Sequence, residues 1–143
     1  MGFCSSLDIV GSALTAERFR TEIITQNLAN AETTETSGGE PYRRQQVVMQ
    51  EIPLSFSDEL GKAKNKVKGG VKVSQVVESD RDFIPRYEPD NPNADENGYV
   101  LYPNVDRTEE MIDLMAAGNA YEANLTALSV VKAMINKAID MGR

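Results

Sequence analysis

The sequence predicts an α+β subunit: an N-terminal and a longer C-terminal amphipathic helix packed together, with a small irregular β insertion between them. Three observations lead there. Apolar residues recur at three- and four-residue steps near both ends of the 143-residue chain. β-branched runs and the prolines Pro85, Pro89, Pro92 and Pro103 fill the middle. Aromatic residues make up only 6% and tryptophan is absent, so an isolated monomer buries little and is expected to complete its burial by association. The chain divides into an N-terminal core helix (1–35), a β-rich outer region (36–104) with a mobile loop near 57–70, and a C-terminal core helix (105–143) that forms one unit with the first.

In the first segment, stepping from Leu7 gives Val10, Leu14, Glu17, Thr21, Ile24, Leu28 and Ala31, a heptad-like seam with polar breaks at Glu17 and Thr21. Ala13, Ala16, Phe19 and Ile23 widen it, so more than one neighbour can pack here. Asn27 and Asn30 weaken the helix, and Ser37-Gly38-Gly39 ends it.

The middle segment changes period. Val47-Val48-Met49 and Val71 to Val77 have the β-branched content of strands. Between them lies a polar stretch with Lys62, Lys64, Lys66 and Lys68, closed by Gly69-Gly70, which reads as a solvated loop. The prolines forbid a long regular element after residue 84.

Asp106 is placed to cap the last helix, and Glu109-Glu110 set negative charge in its first turn, where the helix dipole favours it. From Met111 the steps give Leu114, Gly118, Tyr121, Leu125, Leu128, Lys132, Ile135 and Ile139. Seven of these nine positions are large and apolar, a cleaner seam than the N-terminal one. Asn124 lies beside it, where a polar residue in an apolar interface sets register.

Composition narrows the chemistry. The net charge of −7 argues against nucleic acid. With no histidine, the usual general base and the commonest metal ligand are missing. Cys4 is the single cysteine, so an internal disulfide is impossible. Asn93, Asp95, Asn97 and Gly98 match the start of a calcium loop, but its twelfth position is Asn104 and prolines flank it. No cofactor is expected, and no stretch is apolar enough for direct membrane insertion.

Particular residues go further than periodicity. Leu7-Asp8-Ile9-Val10-Gly11-Ser12-Ala13-Leu14, Arg18, and Asn27-Leu28-Ala29-Asn30-Ala31-Glu32-Thr33 resemble the N-terminal signature of flagellar rod and hook proteins. Tyr121-Glu122-Ala123-Asn124 is similar to the matching C-terminus of that family. Pro41-Tyr42-Arg43-Arg44, Tyr87 with Pro89 and Pro92, Asn97-Gly98-Tyr99-Val100 and Pro103-Asn104-Val105 resemble its proximal-rod members. One position departs: Asn91 stands where the family often carries histidine.

The resemblance implies a structural, non-enzymatic subunit of the proximal rod of the bacterial flagellar basal body, polymerising through its terminal helices into a torque-transmitting shaft. It implies a periplasmic rod location, reached through the flagellum's own type III export apparatus without a cleavable signal peptide. Implied partners are copies of itself, other proximal and distal rod proteins, the basal-body protein FliE, and transiently the export apparatus. The assembly interface would then draw on Leu7, Val10, Leu14, Ile24, Asn27, Leu28 and Asn30, with Met111, Leu114, Tyr121, Asn124, Leu125, Leu128, Ile135 and Ile139. Phe3 and Leu7 have the spacing of a short export-recognition element, which the helix face also explains. The rival readings are a helical adaptor that does not polymerise and a hydrolase working through Asp or Glu.

Overall fold

A computed structural model describes residues 3–52 and 69–142, with side chains from Ser6 onward. The Lys62–Lys68 cluster and all of the expected 57–70 loop except Gly69 and Gly70 lie outside the described residues. The elements run α1 (Phe3–Ala29), β1 (Gln45–Glu51), β2 (Val71–Glu78), β3 (Ile84–Tyr87), β4 (Tyr99–Tyr102) and α2 (Arg107–Met141).

The two helices lie side by side and antiparallel. Glu32 meets Arg107, Asn27 meets Glu110 and Arg20 meets Asp113, so one helix descends as the other rises. At 1.5 Å per residue, α1 is about 40 Å long and α2 about 52 Å. Asp106 caps α2 as its sequence position predicts, its carboxylate accepting the Thr108 and Glu109 N–H groups.

The inward stripe of α2 differs from the seam read in the sequence. Leu114, Tyr121, Leu128 and Ile135 do face inward, at least half-buried. The intervening inward positions are Glu110, Ala117, Asn124, Val131 and Ala138, whereas Met111, Gly118, Leu125, Lys132 and Ile139 are exposed. These inward residues are mostly small or polar, so a seam traced through large apolar residues slips by one at every other step.

α1 is flanked on two sides, as its widened stripe predicts. Ile24 and Asn27 are buried beside Glu110 and Asp113 of α2, while Ala16 and Phe19 border Val71 and Val73 of β2. β1 and β2 form an antiparallel pair whose register shifts between Val48 and Met49. Ser12 Oγ accepts the Val71 N–H at 3.1 Å. That approach needs Gly70, whose φ of +144° and proximity to Ser12 leave no room for a Cβ.

β3 and β4 form a second antiparallel pair. The proline rule is respected because β3 is only four residues long. The intervening loop turns at Gly98 (φ +80°), where a Cβ would stand 3.0 Å from the Tyr87 ring. The core sits where these parts meet: Ala31, Tyr42 and Val105 pack together, and Val100 of β4 is also buried.

Candidate assembly surfaces and the junction behind them

The segment between α1 and β1 carries Tyr42 and Arg44 into the corner where α1 ends and α2 begins. Arg44 is 3% exposed and Glu110 is fully buried. Arg44 Nε donates to Glu110 Oε1, while its Nη2 donates to Asp113 Oδ2 at 3.1 Å. Glu109 lies 3.4 Å from Arg44 Nη1 and also receives Arg81 Nη1 at 2.7 Å. Two buried opposite charges in contact, with further polar partners around them, are the form in which charge survives burial.

Asn27 closes the other side. Its Nδ2 donates to Gln45 O at 2.8 Å and to Glu110 Oε2 at 3.0 Å. Its Oδ1 accepts the Gln45 N–H at 3.0 Å and the Tyr42 hydroxyl at 2.9 Å. The amide therefore takes the place of a neighbouring strand along the edge of β1. Asn104 repeats the device, accepting the Arg44 N–H and donating to the carbonyls of Ser79 and Arg81. Asn30, by contrast, caps its own helix by donating to Gln26 O at 2.9 Å.

Electrostatics follow from these contacts. The Arg81 hydrogen bond holds the Glu109 carboxyl below the usual glutamate range, helped by nearby Arg44. The backbone N–H groups of Thr108 and Glu109 do the same for Asp106. Burial, reinforced by Glu110 and Glu78, pushes the Tyr42 hydroxyl above its ordinary value.

Sequence reasoning placed Glu109 and Glu110 together as partners of the helix dipole. The structure separates them: Glu109 is partly exposed, and Glu110 is the buried partner of Arg44. Arg44 and Asn104 were legible only inside larger motifs. A charged pair of residues at positions 43 and 44 beside Tyr42 was the available signal, but nothing in it told the half-buried Arg43 from the buried Arg44.

The residues singled out for assembly fall into three groups. Leu7, Val10, Leu14, Leu28, Leu114, Tyr121, Asn124, Leu128 and Ile135 are half-buried, while Ile24 and Asn27 are buried and Asn30 half-buried at the junction. Met111, Leu125 and Ile139 are exposed. Phe3 belongs to α1, but its side chain lies outside those described.

α2 carries a further apolar line that the seam did not include. Ile112, Ala116, Ala123, Val130, Met134 and Met141 recur along one exposed side, with Met141 82% exposed. A helix apolar on its inward side and again on an outward side is built to be covered twice. No helix among the described residues is long and apolar enough to cross a membrane. The calcium-like loop spends its carboxylate on itself, with Asp95 Oδ1 accepting the Asn97 and Tyr99 N–H groups.

Comparison with known proteins matches both ends of this architecture. Residues 7–35 match the family model described as flagella basal body rod protein. Residues 96–141 match that of the flagellar basal body rod FlgEFG protein C-terminal region. The flagellar basal-body rod protein FlgC of Bacillus subtilis is 43% identical over 145 residues, covering 96% of this chain and 97% of that protein. FlgC of Salmonella typhimurium is 41% identical over 143 residues and covers both chains completely. FlgC of Borreliella burgdorferi is 33% identical, with 97% of each covered. Two terminal helices in matched family segments, and likeness to FlgC proteins from end to end, place the chain in the flagellar basal-body rod protein family, as a structural subunit of the proximal rod.

Proposed function

We propose that the subunit polymerises by laying the outward face of α2 against helices of neighbouring subunits, so that paired terminal helices line an inner tube and the β region faces outward. The observation that carries this reading is the second apolar line on α2, Ile112 through Met141, together with the exposed Met111, Leu125 and Ile139. An open-ended shaft needs heterologous contacts, each subunit offering two different faces. The stripe of Leu7, Val10 and Leu14 supplies one of them and α2 the other, while Asn124 sets the register of the pair.

On this reading the neighbours are copies of the chain, other proximal and distal rod proteins and FliE, in a periplasmic rod. Delivery runs through the flagellar export apparatus, with Phe3 and Leu7 as the recognition element. The chain works as a scaffold and not as an enzyme, in keeping with a structural family.

Leu125→Asp and Leu128→Asp separate the two roles of α2. The exposed Leu125 change leaves the circular dichroism of the purified protein unaltered but abolishes rod assembly and swimming. The inward Leu128 change lowers the helix content as well. Normal swimming by a Leu125→Asp, Met134→Asp strain would remove α2's outer face as an interface.

A further inference from the structure

We infer that the free edge of β4 is a docking site for an extended basic segment of a partner protein, which joins the β3–β4 pair as a third strand. Hydrogen-bond alternation decides which backbone groups of β4 face outward. In an antiparallel pair, residues alternate between those bonded to the partner strand and those turned away from it. The Glu88 N–H donates to Gly98 O at 2.9 Å, so Gly98 faces β3 and Tyr99 turns away. Asp95 already meets Tyr99: its Oδ1 accepts the Tyr99 N–H at 2.8 Å, and its own N–H donates to Tyr99 O at 2.9 Å. It fills one strand-like position along this edge.

Two residues on, Leu101 turns its N–H and C=O the same way, and no described group of the chain bonds to them. Pro85, paired with Leu101, fits this alternation because a residue without an N–H is tolerated only at a non-bonded pair. An exposed strand edge of this kind is what an added peptide strand reads with its main chain.

The edge opens on a cleft of about 380 Å³ lined by Thr34, Glu35, Pro41, Ala94, Asp95 and Leu101 among others. Its charged residues, Glu35 and Asp95, are both acidic. The loop from Glu88 to Gly98 adds Asp90 and Glu96 and contains no Lys or Arg. Arg86 lies over the Tyr102 ring at 4.3 Å, on the opposite face of the pair from Tyr87 and Tyr99. The occupant is therefore basic. The outward face beside the edge carries the exposed Tyr87 and Tyr99, rings 5.3 Å apart and edge to face, a surface for the aliphatic stem or cation of a lysine or arginine. A second copy docked edge to edge would set Glu35 and Asp95 against their own counterparts, in a chain that already carries −7. Charge rules out that edge-to-edge mode, so the basic segment is assigned to a different protein, and a neighbouring copy's own Lys62–Lys68 stretch is an outcome the test distinguishes.

The test uses the full-length, 15N-labelled protein and three short blocked peptides. One alternates lysine and valine, the second replaces lysine with glutamate, and the third keeps lysine but N-methylates the valines so that strand pairing fails. The expected result is a shift and slowed exchange of the Leu101 amide with the first peptide alone. Glu35→Lys, an exposed position, weakens that binding at least tenfold while leaving circular dichroism unchanged. Equal response to the glutamate or N-methylated peptide overturns the proposal, as does no response of Leu101 at millimolar peptide. A Leu101 shift that depends on protein concentration alone overturns it too, since the occupant would then be a second copy.

Discussion

Where α1 ends and α2 begins, Arg44, Glu110 and Asn27 meet out of contact with water, and each hydrogen bond names a specific partner. Towards the other end of the pair the inward residues of α2 are Leu128, Val131, Ile135 and Ala138, and the final turns leave Ile139 and Met141 to solvent. The contrast separates two jobs. An apolar seam rewards burial but is nearly indifferent to a slip of one heptad. The polar corner is not: a slip would strand Arg44 or Glu110 without its counter-charge. One end fixes how the chain is arranged, and the other is left free to meet neighbours.

The comparison can be broken most sharply at the corner. Arg44→Met leaves Glu110 buried and unpaired, and urea denaturation is expected to show a loss of about 3–5 kcal/mol. Adding Glu110→Leu should recover most of it, because an apolar pair of similar volume asks for no counter-charge. Asn27→Ala removes partners from Gln45 and Tyr42 at once, and about 2–3 kcal/mol should follow in the same measurement. At the apolar end, Ile135→Ala at a half-buried position is expected to cost about 1 kcal/mol. If the two ends lost equal stability, the division of labour would fail.

The smallest effects come from pH. Asp106 and Glu109 have folded pKa values below their ordinary 3.8 and 4.5, so their contribution is present above those values and is lost as pH falls through the folded ones. Tyr42 runs the other way. Its folded pKa lies above 10.0, so its contribution is complete below pH 10 and fades as pH rises through the folded value. Thermal midpoints should therefore drop at both extremes, and Tyr42→Phe should flatten the alkaline side only.

Much of this was legible in the sequence, for physical reasons that differ by element. The helices announced themselves because period and capping agree: Asp106 caps α2, and Leu114, Tyr121, Leu128 and Ile135 face inward as spaced. The β3–β4 pair was hidden because Pro85 and a four-residue length carry no alternation worth reading. The corner was hidden because its chemistry is nonlocal: Asn27 and Glu110 are far apart in sequence, and each alone looks like a helix-end residue. Asn27 was noticed, but its amide serves β1 rather than the end of its own helix.

Ser12 and Asn27 are fifteen residues apart on α1, about 22 Å along its axis, and each holds a strand of the β1–β2 hairpin. Two helices side by side form a flat ribbon, stiff against bending in its own plane and compliant across it. A hairpin clamped at two points along one helix gives that ribbon a third rail out of the plane. Because flexural rigidity grows with the square of the distance from the bending axis, a rail one packing layer away, about 10 Å, turns the ribbon into a beam. A rotating shaft is flexed in every direction once per turn, and a subunit with such a cross-section has no weak direction to offer it.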